Sequence, residues 1–208
     1  MKKTILYFLL LIIILFSLKI LLDNSKKIEI IKSKKEDKET ALKLSKRVQE
    51  IKKLIASGSG YDKKIAFFID MKIMSGRNRF FVYDLQKDKI IDEGLVAHGF
   101  GSETKFEGEL KFSNVNDSKC TSLGKYYIGY SYNGQFGKAY KLYGLDKTND
   151  NAFLRNIVLH KYSKVPYEEQ INPICLSYGC PMVNEKYYAR IEKIIDNSNK
   201  KIVLDIYY

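Results

Sequence analysis

Near Lys64 the spacing of apolar residues switches from a helical to a strand period, and most of the chain beyond it keeps the strand period. Ile65–Asp70, Arg79–Leu85 and Ile90–Ala97 are rich in Phe, Val, Ile and Tyr, with Gln86-Lys87-Asp88-Lys89 as a turn between the last two. Lys125–Tyr132 and Lys138–Tyr143 alternate aromatic or aliphatic residues with polar ones around Asn133-Gly134, a second hairpin-like pair. Ile157–Leu159 and Ile202–Tyr207 add two more strands. Helical signals are few: a short stretch at Asn149–Leu154, and a helix capped by Asn184 with Tyr187, Ile191, Ile194 and Ile195 on one face. Residues 61–208 are therefore expected to form one mainly β domain with one or two helices.

The 208 residues include 45% hydrophobic side chains and only 3 Pro, which excludes collagen, coiled-coil rods and low-complexity chains. The formal charge of +12 raises the question of nucleic acid, but its location answers it. Residues 1–60 hold 14 Lys/Arg and 6 Asp/Glu, a net of +8, against 22 and 18, a net of +4, in the rest. No zinc-finger, RNP or basic-zipper pattern accompanies that charge, so no nucleic-acid partner is expected.

Met1-Lys2-Lys3 leads into Thr4–Leu22, in which Ile5–Phe16 is entirely Ile, Leu, Phe and Tyr. About 20 such residues span a bilayer, and Leu21-Leu22-Asp23-Asn24 offers a peptidase no small-x-small site. An uncleaved transmembrane anchor is expected over residues 1–22, placing the domain in the periplasm at the inner membrane, or exporting it if the segment is cleaved. Lys26, Lys27, Lys32, Lys34 and Lys35 favour the opposite orientation by the positive-inside rule. Residues 23–60 read as a charged tether carrying an amphipathic helix at about 40–56, where Ala41, Leu44, Val48, Ile51 and Ile55 share a face and Ser57-Gly58-Ser59-Gly60 ends it. Such a helix packs on the domain, or lies on a membrane surface or a second copy.

The chemistry must come from three Cys (120, 175, 180) and two His (98, 160). Each His ends an apolar strand-like run, so both can project into one cleft, although a buried structural ring is the commoner fate of a lone His. Zinc is disfavoured, because Cys175 and Cys180 have four residues between them and no second pair. Ser177-Tyr178-Gly179-Cys180-Pro181 has the build of a tight loop presenting a thiol. Pro181 holds Cys180 extended and supplies no N–H, so an oxyanion hole here would use the amides of Cys180, Gly179 and Tyr178. His160 is the candidate base for a Cys180 nucleophile. A buried, inert Cys180 remains the alternative on these residues alone.

Leu159-His160, sixteen intervening residues and Ser177-Tyr178-Gly179-Cys180 resemble the L,D-transpeptidase signature, and the Pro181 that follows is similar to the murein L,D-transpeptidase branch. Four further blocks match in order: Phe68-Ile69-Asp70; Val96-Ala97-His98-Gly99 with Gly101-Ser102; Phe112-Ser113-Asn114 with Ser118 and Ser122-Leu123-Gly124; and Tyr143-Gly144-Leu145 with Asn149-Asp150-Asn151-Ala152. The resemblance implies a mixed β-sandwich or barrel in which Cys180 attacks the L-centre carbonyl of a peptidoglycan tetrapeptide stem and D-alanine leaves. The acyl group then passes to an amine, giving a 3→3 cross-link, or to water. It further implies His160 as base and acid, Tyr178 and Gly179 around the oxyanion, and His98, Ser113, Ser122 and Ser177 lining the substrate cleft, with no metal or cofactor. Lys161-Tyr162 stands where the family usually has Gly-Ala, and Leu176 where it has Arg. A catalytically silent wall-binding module and a cysteine peptidase acting on another wall peptide are the alternatives. In an oxidising periplasm Cys120 and Cys175 would be free to pair, leaving Cys180 reduced.

Overall fold

The computed structural model describes residues 38–58, 60–106 and 108–208, with Lys19, Leu21, Lys27, Lys35 and Glu36. The anchor expected over residues 1–22 and most of the charged segment after it lie outside the described residues. Among the described residues no helix is long and apolar enough to cross a membrane.

The chain divides into two compact units, Met1–Lys46 and Arg47–Tyr208. In the first, residues 38–46 are helical. The second opens on helix α1, residues 47–57, whose Val48, Ile51 and Ile55 are buried. Arg47 forks onto Asp205, Nε to Oδ2 and Nη2 to Oδ1, each at 2.6 Å. That pairing matters because the Asp205 side chain is fully buried, and a buried carboxylate is costly unless bonded.

Nine strands follow: β1 Tyr61–Asp70, β2 Phe80–Asp84, β3 Lys89–Gly94, β4 Val96–Ala97, β5 Gly124–Gly134, β6 Gly137–Gly144, β7 Val158–Lys161, β8 Met182–Val183 and β9 Lys201–Tyr207. They form one mixed sheet in the order β3-β2-β1-β9-β5-β6-β7-β8-β4. Its two outer strands are separated in sequence only by Leu95, so the sheet curls until its edges meet at that residue. The large core inside the curl includes Phe67, Ile69, Phe80, Tyr126, Leu142 and Leu204. A smaller cluster of Leu95, Ala97, Val165, Ile174 and Met182 lies under β4 and β8.

Two expectations are corrected. Ile90–Ala97 is not one strand but β3 and β4, on opposite edges of the sheet. The corner falls after Gly94, where a Cβ would lie 2.6 Å from the Tyr187 ring, so only glycine admits that ring against the backbone. Asn149–Leu154 is a run of turns rather than a helix. The Asn149 side chain is drawn to the backbone of Asp146 and Lys125, and Asn156 closes the run in a left-handed conformation, φ +57°. Helix α2, Glu185–Asp196, forms where expected, its Lys186 N–H donating to Asn184 Oδ1 at 2.8 Å and Tyr187, Tyr188 and Ile191 buried. The fold is mainly β sheet with two helices.

Candidate active site

Strands β7 and β8 run parallel with His160 opposite Met182, and the His160 N–H donates to the Pro181 carbonyl at 3.4 Å. The backbone of His160 is thus bonded to the residue that follows Cys180. The Cys180 sulfur accepts the Val158 N–H at 3.4 Å and its S–H points at the Asn156 carbonyl at 3.7 Å. Burial pushes the thiol above its usual range, opposed by the Val158 N–H and by the charges of Arg155 and Lys141, so the resting sulfur is protonated at neutral pH.

His160 Nδ1 lies 3.0 Å from the Lys161 carbonyl. A carbonyl only accepts, so Nδ1 carries the hydrogen and Nε2 keeps its lone pair. Burial pushes the imidazole below the ordinary histidine range, outweighing the bond to Lys161. Among the described residues no hydrogen bond joins His160 to Cys180; each is held by neighbouring backbone. Phe136, at the tip of the β5–β6 hairpin, stacks on the His160 ring with centroids 5.0 Å apart and planes 16° from parallel.

The loop before Cys180 is braced on both sides. Ser177 N–H donates to the His98 carbonyl at 2.9 Å and Phe100 N–H to the Ser177 carbonyl at 2.6 Å. Gly179 has φ +115°, and a Cβ there would lie 2.8 Å from the Cys120 carbonyl. Its N–H, expected at the oxyanion, donates to Ser177 Oγ at 3.0 Å. No described hydrogen bond takes up the Tyr178 or Cys180 N–H, and Tyr178 is 76% exposed with Lys119 Nζ 5.2 Å from its ring centroid.

Of the other expected cleft residues, His98, Ser122 and Ser177 are buried and Ser113 is half-buried. His98 is buried, its Nδ1 accepting from Arg79 Nη2 at 2.9 Å and its Nε2 bonded to Glu103. Burial and the Arg79 charge hold it below the usual range, which keeps the imidazole neutral. Ser113 Oγ accepts the Val115 N–H, and buried Ser122 pairs with the Tyr126 hydroxyl. Arg155 joins the two serines: Nη1 donates to the Ser113 carbonyl and Ser122 Oγ, Nη2 to Ser118 Oγ and the Cys120 carbonyl. All three cysteines are free thiols, so Cys120 and Cys175 are not paired. Among the described residues no three His, Cys, Asp or Glu side chains gather as a metal site would need.

A family model for the L,D-transpeptidase catalytic domain matches residues 34–207. The chain belongs to that family. Among solved structures it is similar to a point mutant of the helical cell shape determining protein Pgp2 from Campylobacter jejuni, at 13% identity and TM-score 0.47, covering 71% of this chain and 48% of that one. It is also similar to an L,D-transpeptidase from Xylanimonas cellulosilytica, at 13% identity and TM-score 0.39 over 70% and 61%, and to Mycobacterium tuberculosis L,D-transpeptidase 1, at 10% and 0.35 over 70% and 62%. The chain spans about half to three fifths of the length of these relatives. No curated protein matches it.

Within this L,D-transpeptidase domain the two departures around the loop have physical readings. Lys161 supplies only its carbonyl to His160, a group that any residue provides. With Leu176 before Ser177, the guanidinium beside the loop is that of Arg155, which arrives from the turns before β7. Arg155, Asn156, Lys141 and Phe136 were not singled out by the sequence, because none belongs to a spaced motif; only the fold brings the first three near Cys180 and Phe136 onto the His160 ring.

Proposed function

We propose that the domain is a cysteine-dependent acyltransferase of the cell wall, acting on peptidoglycan tetrapeptide stems. His160 Nε2 takes the Cys180 proton as the sulfur attacks the carbonyl of the L-centre residue. The oxyanion is met by the Tyr178 and Cys180 N–H groups, the two in this loop with no other acceptor. Collapse breaks the C–N bond, and His160 returns the proton to the departing D-alanine amine, leaving a thioester. An amine of a second stem or a water molecule, deprotonated by His160, attacks the thioester and frees the thiol. The first route gives a 3→3 cross-link, the second an L,D-carboxypeptidase.

The observation that carries this reading is the His160 tautomer. The Lys161 carbonyl fixes the hydrogen on Nδ1, leaving a dry, unprotonated Nε2 on the strand beside the thiol loop. In the test, the full chain is given tetrapeptide muropeptides and D-alanine release is followed; release is expected from wild type and not from Cys180→Ala. Wild type as inert as Cys180→Ala sinks the proposal. Lys161 and Leu176, standing where the family usually has Gly and Arg, favour the silent wall-binding module as a second reading, and a covalent adduct at Cys180 with a carbapenem, read by mass spectrometry, counts against it. Cleavage at a bond other than the L,D one identifies a cysteine peptidase instead. The hydrophobic run at residues 1–22 would hold the domain at the periplasmic face of the inner membrane.

A further inference from the structure

Lys141, on β6, stands beside the nucleophile with no acid to answer it. Its Nζ donates to Asn156 Oδ1 at 3.0 Å, and the carbonyl of the same Asn156 accepts the Cys180 S–H at 3.7 Å. One residue therefore bridges the ammonium and the sulfur. The rings of Tyr132 and Phe153 flank Nζ, with centroids 4.9 and 5.7 Å away, replacing part of its hydration with aromatic faces. Several other cations of this unit are matched by acids, among them Arg47 by Asp205, Lys138 by Asp196 and Arg190 by Asp92. Lys141 forms no ion pair among the described residues.

Arg155, the other cation close to the thiol, is not open in the same way. Its Nη1 and Nη2 each donate twice, to oxygens of the 113–122 loop. It pins that loop, whereas Lys141 uses one of its three N–H groups.

We infer that Lys141 binds the free C-terminal carboxylate of the donor peptide, the carboxylate of the residue that leaves. This rests on the acyl-transfer reading above and adds a specificity residue to it, an ammonium that reads the free C-terminus beyond the scissile bond. In such a peptide the carboxylate carbon is three bonds from the scissile carbonyl carbon, within about 4 Å. A carbonyl placed at the Cys180 sulfur thus brings that charge to a cation held one residue away.

The experiment gives the full chain two synthetic tetrapeptide stems that differ only in the terminal D-alanine, a free acid in one and its carboxamide in the other. Wild type should favour the acid in kcat/KM by roughly tenfold, the size of a hydrogen bond to a charged group. Lys141→Met should bring the ratio close to one, and Lys141→Arg should restore most of it. Both peptides offer the same carbonyl to the same thiol, so the ratio cancels any effect of the substitution on Cys180. Lys141→Gln, equally uncharged, serves if the Met variant does not fold. Equal rates for acid and amide in wild type, or a ratio kept in the uncharged variant, overturn the role of Lys141 and leave the acyl-transfer reading standing. No turnover of either peptide by wild type overturns both.

Discussion

Burial and hydrogen bonding pull in opposite directions on His160, and burial wins. The ring is held below the ordinary value of 6.5 although its Nδ1–H bond to Lys161 favours the charged form. A base with a lowered pKa stays unprotonated further into acid and is lost as the pH falls through that lowered value. The acid limb of kcat/KM against pH should therefore lie below 6.5; a limb at or above 6.5 would mean that the ring is wetter or more favourably paired than its contacts imply. Cys180 and His160 stand out in the sequence as candidates because their residue types are scarce, with 3 Cys and 2 His in 208 residues. Lys141 and Arg155 do not, because they are two of 36 Lys and Arg. Only the fold separates a lysine beside the thiol from one on an outer face. The Gly179 amide, expected at the oxyanion, is held instead by Ser177, whose hydroxyl is two residues away and accepts that N–H.

At the level of elements, the β5–β6 hairpin does more than extend the sheet. Its turn places Phe136 flat on the His160 ring, and Tyr162 meets the same phenyl edge-on at 5.3 Å. Phe136 is itself 41% exposed, so it forms part of the cover that dehydrates the imidazole. Phe136→Ala should let water reach the ring and move the acid limb of kcat/KM up toward 6.5, and an unmoved limb would assign the dehydration to other neighbours. Strand alternation made most of the sheet readable, β1, β2, β5, β6, β7 and β9 all lying close to their expected spans. The corner at Leu95 was hidden because Ile90-Ile91 and Leu95-Val96-Ala97 read as one strand spanning Asp92-Glu93-Gly94. Strand β8, two residues long, has no period to detect.

On the scale of the whole Arg47–Tyr208 unit, its first residue is also one of its fasteners. Arg47 and Asp205 are 158 positions apart, and their fork ties α1 to β9, the strand between β1 and β5 in the sheet. Removing one partner of a buried pair leaves the other charge uncompensated. Arg47→Met should cost about 3–5 kcal/mol of unfolding free energy in a denaturant titration; a loss below about 1 kcal/mol would show that Asp205 finds water or another cation, or is readily protonated.

The pairing of β4 with β8 joins Val96 and Ala97 to Val183 and Met182, and that of β1 with β9 joins residues 61–70 to residues 201–207. Contacts so distant along the chain are rewarded only after long loops have closed, and folds that depend on them are slow to form. Strand β8, which directly follows the Cys180 loop, therefore waits on events at both ends of the domain. Until then Cys180 is one of three unshielded thiols, and in an oxidising compartment the yield of native protein becomes a race between closure of the sheet and mispairing of sulfur.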